Sequence, residues 1–211
     1  MSQYTFPFST CEKPNNNNIV LQPYSAFVNL LSCIVIFYYL CKIKHFYSFF
    51  LIFFIFCFQL FHMFSHCFHI PGFFHIFSIH SLSYCINISL LYALYIKTKK
   101  SFTTEFILFL MLFVALDIYS LLNLSLIYYV ICQSVIFLGI LFYYYHVLPV
   151  FIQEAIKWVF FLIIFILILE QNEINNCHYM LSMNSSFPYH IVIEFSGLIL
   201  FYIVCSRFAK L

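Results

Sequence analysis

Charge is what this sequence has least of. Seven Asp/Glu and nine Lys/Arg are spread over 211 residues, 8% of the chain, and there are only three glycines. A soluble domain of this size needs a polar shell that so few charges cannot supply. Also missing is any basic cluster able to track a phosphate backbone: the formal net charge is +2 and the isoelectric point about 8.0, which sets nucleic acid aside. The opening MSQYTFPFSTCEKPNNNN has no basic stretch ahead of an apolar core and no small-residue cleavage site, so it does not read as a removable signal peptide. No internal repeat of fixed period is visible, nor the three-plus-three symmetry of many transporters, which leaves a transporter without support.

What is present is hydrocarbon. Hydrophobic residues make up 64% of the chain and aromatics 23%, with a mean hydropathy of +0.99. Helical spans of roughly 20 apolar residues fit at about 24–42, 47–68, 73–96, 104–121, 124–145, 150–170 and 188–207. The chain is therefore expected to be all-α and polytopic, an extracytoplasmic segment at 1–23 followed by a seven-helix transmembrane domain at 24–211. A count of six is the alternative, because 124–145 follows its predecessor with almost no loop. With the N-terminus outside and the C-terminus cytoplasmic, Lys42, Lys44, Lys97, Lys99, Lys100, Lys157, Arg207 and Lys210 fall inside and Lys13 alone outside, as the positive-inside rule prefers. Sequons at Asn123-Leu-Ser and Asn184-Ser-Ser then lie in outer loops. The Asn15–Asn18 run reads as a linker or turn.

Imidazoles are costly in a bilayer unless paired, hydrated or metal-bound, and His62, His66, His69, His75 and His80 crowd into one stretch. The seven-span topology brings Ser65, His69, His75 and His80 to one membrane face. It brings there also Asp117, Glu170, Glu173, Cys177, His178 and the i, i+4 pair His190 and Glu194. Ligands from several helices at one depth are what a metal or acid–base site requires. His69 with His190 and Glu194 offers a nitrogen and carboxylate set of the kind that holds a catalytic zinc. Interfacial snorkelling accounts for His45, His146 and His178, and a structural role for His62 and His66. Cys33, Cys41, Cys57, Cys67, Cys85, Cys132 and Cys205 lie in or beside apolar runs and behave as small hydrophobes; Cys11 and Cys177 stand apart in polar stretches.

Five stretches resemble the alkaline ceramidase family, seven-helix membrane amidases in the superfamily that includes the adiponectin-type receptors. Cys11-Glu12 before an Asn-rich turn resembles the family's Trp-Cys-Glu. Ser25-Ala-Phe-Val-Asn-Leu-Leu-Ser32 is similar to its Ala-Glu-Phe-Trp-Asn-Thr-x-Ser, and Ser65-His-Cys-Phe-His69 to its Ser-x-x-Phe-His. Glu170 with Cys177 resembles the acid and cysteine before the last helix, and His190-x-x-x-Glu194 stands where the family has His-x-x-x-His. The order and spacing run through the whole chain.

The resemblance implies zinc held by His69, His190 and a substituted Glu194. It gives Ser65 the role of oxyanion or water contact and His80 the acid–base position, where the family has aspartate eleven residues after the motif histidine. It implies a Cys11–Cys177 disulfide on the oxidising side. The family's calcium acids are thinned to Glu12, with Ser9 and Ala26 at two acidic positions, so zinc rather than calcium is the expected cofactor. The activity implied is hydrolysis of a ceramide-type lipid amide to a long-chain base and a fatty acid. For a eukaryotic or virus-encoded chain the expected place is an endoplasmic reticulum or Golgi membrane, and the seven-span topology turns the site away from the cytoplasm. The replacements at His80 and Glu194 leave a second reading open, a non-catalytic lipid-binding or receptor-like protein of the same fold. A third, a proton or ion pathway, would need polar residues continuing through the cytoplasmic halves of the helices.

Overall fold

The computed structural model describes residues 5–6, 11–12, 14–122, 126–184 and 187–211. Ser9, Lys13, the Asn123-Leu-Ser sequon and the serines following Asn184 lie outside the described residues. Among the described residues seven helices are long and apolar enough to cross a membrane: α1 (Pro23–Leu40), α2 (Phe46–Cys67), α3 (Gly72–Thr98), α4 (Thr104–Leu122), α5 (Leu126–Tyr144), α6 (Val150–Met183) and α7 (His190–Phe208). A 3-10 turn at Tyr145–Val147 follows α5, and two short strands, β1 (Thr5–Phe6) and β2 (Ile70–Pro71), pair antiparallel.

The helix boundaries have local causes. Proline opens α1, and its N-cap residue Gln22 makes no side-chain cap. Glu12 supplies the cap from a distance: Oε1 accepts the Tyr24 N–H at 2.9 Å, and Oε2 accepts the Ser25 N–H at 3.0 Å and the Ser25 hydroxyl. A carboxylate there satisfies free N–H groups and meets the positive end of the helix dipole. Phe68 turns extended to end α2, and Pro71 then fixes the start of α3. Lys99, at φ 57°, stops α3 in the left-handed conformation.

The sixth helix departs from expectation. Instead of stopping near residue 170 it runs to Met183, 34 residues in all. At about 1.5 Å per residue it is about 51 Å long, well beyond a hydrocarbon core of about 30 Å. No glycine or proline interrupts EQNEINNCHYMLSM, so polarity ends the span without ending the helix. The overhang carries Glu173 and Cys177.

α1 packs against α2 and α7, α3 against α2 and α5, and α6 against α5 and α7. The six close into a ring, with α4 outside it against α5. At Gly139 a Cβ would run into the end of the Phe109 ring, so the close fit of α4 on α5 there uses the missing side chain.

The two ends of the bundle differ in chemistry. One is an apolar core of Ile36, Leu51, Leu90, Leu94, Leu141, Tyr144 and Ile156. The other, where α1, α3, α5 and α7 begin, buries Gln22, Ser25, His66, His80, Asp117, Glu173 and Glu194. Between them, amide pairs bridge helices: Gln59 donates to Asn29 from α2 to α1, and Asn87 donates to Gln133 from α3 to α5 at 2.7 Å. With no water in hydrocarbon, such pairs give polar groups a partner on the facing helix, although Asn29 Nδ2, Asn87 Oδ1 and Gln133 Nε2 are buried without one among the described residues.

Candidate metal centre

The centre is built from two helical pairs at i, i+4 spacing, His62 and His66 on α2 and His190 and Glu194 on α7. Glu194 Oε1 lies 3.3 Å from His62 Nε2, 3.1 Å from His66 Nε2 and 3.0 Å from His190 Nε2. His62 Nε2 and His66 Nε2 are 3.3 Å apart. His62, His66 and Glu194 form a group able to hold a metal ion. Their three ligand atoms make a nearly equilateral triangle with sides of 3.1 to 3.3 Å. Zinc bonds of about 2.0 Å in tetrahedral geometry set ligand atoms about 3.3 Å apart, so this triangle has the dimensions of one face of such a polyhedron.

The hydrogen bonds behind the rings fix which nitrogens carry protons. Gln22 Nε2 donates to the Glu12 carbonyl, which leaves Gln22 Oε1 as an acceptor, 2.6 Å from His66 Nδ1. His66 therefore carries its proton on Nδ1, and in the neutral ring Nε2 presents a lone pair. His190 is placed the same way, its Nδ1–H donating to Glu173 Oε2 at 2.7 Å. Two imidazole lone pairs thus face a carboxylate oxygen that has only lone pairs to offer. That arrangement needs positive charge at its centre, as a metal ion or as protons on the rings. A ring N–H on carboxylate or carbonyl, with the other nitrogen turned inward, is the usual support of a metal-ligating histidine.

The remaining sequence candidates are distributed as follows. His69 lies beyond the end of α2, exposed, with Nε2 3.1 Å from Asn16 Oδ1, and is not a member of the group. Ser65 is buried, and its hydroxyl donates to the Phe61 and His62 carbonyls of its own helix, each at 2.9 Å. His80 sits against α4 and α5: its Nδ1 is 3.0 Å from Asp117 Oδ2 and its ring packs on Tyr129, centroids 4.0 Å apart. From α3 it is His75, stacked on Phe61, that lies on the α2 side. Glu12 caps α1, as described. Cys11 and Cys177 form a disulfide with Cα atoms 5.4 Å apart, and the seven cysteines of the apolar runs are free. His45, His146 and His178 are exposed.

Sequence reasoning passed over His62, His66, Gln22 and the role of Glu173. For the first two the signal was available, an i, i+4 pair of the same kind as His190 and Glu194. For Gln22 and Glu173 there was none, because their partners lie 44 and 17 residues away. No protein-family model matches the chain, and no curated protein or solved structure matches it.

Proposed function

We propose that this protein is an integral membrane hydrolase, zinc-dependent, that cleaves the amide bond of a ceramide-type lipid to a long-chain base and a fatty acid. The observation that carries the proposal is the 3.1 to 3.3 Å triangle of His62, His66 and Glu194, with the second nitrogen of His66 committed to Gln22. The order of ceramidase-like stretches along the chain supports the substrate class.

Zinc in such a site acidifies a water to a pKa of about 7 and polarises a carbonyl. The chain does the rest. His62 is 26% exposed, whereas His66 is fully buried and Glu194 is 7% exposed, so water and a lipid amide approach past His62. Phe58 stacks on His62 with centroids 6.3 Å apart, giving the approach an apolar wall suited to hydrocarbon. Hydrolysis delivers a hydroxyl to the acyl carbon and a proton to the departing nitrogen. His190 is the residue placed to carry that proton, because Glu173 holds its Nδ1–H and stabilises the imidazolium when Nε2 is protonated. In this reading His190 and Glu173 take the acid–base role that the family resemblance gives to His80, and His62 and His66 take the metal from His69. In this reading the positive-inside preference supports an orientation with the lysine-poor end of the bundle, and the site with it, facing away from the cytoplasm.

Purified protein in lipid nanodiscs tests this directly, by metal content and by release of fatty acid from a short-chain ceramide. About one zinc per chain and turnover lost in His66→Ala and Glu194→Gln are the expected results. Stoichiometric zinc with no turnover on any ceramide would favour the non-catalytic reading.

A further inference from the structure

The two supporting hydrogen bonds of the centre arise from neighbouring residues of the N-terminal segment. The Cys11 N–H donates to Glu173 Oε1 at 2.8 Å, and Glu173 Oε2 accepts from His190 Nδ1 at 2.7 Å. One residue on, the Glu12 carbonyl accepts from Gln22 Nε2, and Gln22 Oε1 accepts from His66 Nδ1 at 2.6 Å. One dipeptide thus sets the orientation of a ring on α2 and of a ring on α7. Cys11 is covalently fixed to Cys177 on α6, one helical turn beyond Glu173. The bridge, the Cys11 N–H and Glu173 therefore form a single closed loop, and all of Cys11, Glu12, Gln22 and Glu173 are buried.

We propose that the Cys11–Cys177 bridge holds the metal centre assembled, with Gln22 and Glu173 as its positioning residues, so that the centre binds metal tightly only while the bridge is closed. The inference rests on the metal reading above and adds a control to it. With the bridge open, residue 11 is no longer tied to α6, and the Glu173 carboxylate loses the N–H that fixes its rotamer. The Glu12 carbonyl loses the anchor one residue away and is left with the hold of its own carboxylate on the start of α1, so the Gln22 side-chain amide loosens while its backbone N–H still donates to the His66 carbonyl at 3.0 Å. The looser amide holds the His66 tautomer less firmly, and Nε2 presents its lone pair to the metal for less of the time. Loss of such supporting partners weakens metal binding by about 10- to 100-fold in characterised sites.

The test measures zinc affinity of the full chain in detergent by competition with a chromophoric chelator, before and after reduction with a trialkylphosphine. The reaction breaks one S–S bond and yields two thiols, while the phosphine takes oxygen from one water and becomes the phosphine oxide. Reduction, Cys177→Ser and Gln22→Ala are each expected to weaken zinc at least about tenfold, and Cys41→Ser, at an exposed free cysteine, to change nothing. Glu173→Ala, with the bridge intact, is expected to change the imidazole 15N shifts of His190 from the Nδ1–H tautomer to a mixture. Thermal unfolding of every sample separates loss of affinity from loss of fold. Zinc affinity unchanged within about twofold in reduced, folded protein and in Gln22→Ala overturns the inference and leaves the metal reading standing. A wild-type chain that takes up no zinc overturns both.

Discussion

Replacing His66 by alanine separates the ligand set that the geometry offers from the one expected on sequence. His66 is fully buried, with Nε2 at 3.1 Å from Glu194 Oε1 and 3.3 Å from His62 Nε2, so its ring has no other place to go. Structural zinc sites bind with apparent free energies of about 10–16 kcal/mol from four ligands, or roughly 2.5–4 kcal/mol for each. At about 1.4 kcal/mol per factor of ten, losing one ligand weakens zinc by about 60- to 700-fold. Ser65→Ala removes a hydroxyl that bonds only its own helix, and His69→Ala a ring that meets Asn16. Each is expected to change affinity by less than about threefold, or about 0.7 kcal/mol. Chelator competition gives the three affinities. X-ray absorption on the zinc-loaded wild type is expected to show nitrogen and oxygen neighbours at about 2.0 Å, with imidazole scattering. The reasoning is refuted if His66→Ala keeps its zinc while His69→Ala loses it.

Further predictions concern other parts of the molecule. Imidazole binds metal only when deprotonated, so zinc affinity falls as pH falls; with His62 and His66 as ligands it falls by up to about 100-fold per pH unit at the acid end, and proton release on binding measures the slope. Asp117→Leu leaves the buried His80 without its carboxylate and is expected to destabilise by about 3–5 kcal/mol, whereas replacing both residues by leucine regains most of that; thermal melts in detergent decide, with zinc affinity unmoved in either. Gly139→Val drives a side chain into Phe109 and is expected to cost about 1–3 kcal/mol of bundle stability, read from the same melts.

The number and order of helices were legible because a bilayer admits few backbone solutions and the chain obeys them with runs of the right length. The pairing of Cys11 with Cys177 was legible only through the family likeness, since nothing local in either polar stretch names its partner. The polar end of the bundle followed from alternating helix direction once seven spans were counted. What could not be read was the layer behind the ligands. Glu12 as the cap of α1, Gln22 behind His66 and Glu173 behind His190 each depend on a meeting between distant segments. The overhang of α6 follows from the absence of any breaker after Glu170, a signal set aside when hydropathy alone was used to end the span.

The choice between His69 and His66 turns on where α2 stops. A motif of the form Ser-x-x-x-His places its two residues on one helical face only while the helix continues between them. Here Phe68 is already extended, with ψ at 153°, so Ser65 and His69 no longer share a face. One turn earlier the helix is intact, and His62 and His66 do share one. The facing helix supplies a second pair of the same spacing, His190 and Glu194, and because α2 and α7 run in opposite directions the two pairs mesh at a single level, His66 beside His190 with ring centroids 5.5 Å apart. Two rigid i, i+4 pairs hold ligand atoms more closely than one pair and a loop residue can, since a metal tolerates only small errors in ligand position. On that ground the extended Phe68, which ends α2 before His69, does as much to choose the ligands as the histidines themselves, and Pro71 keeps Ile70 out of the helical region just beyond it.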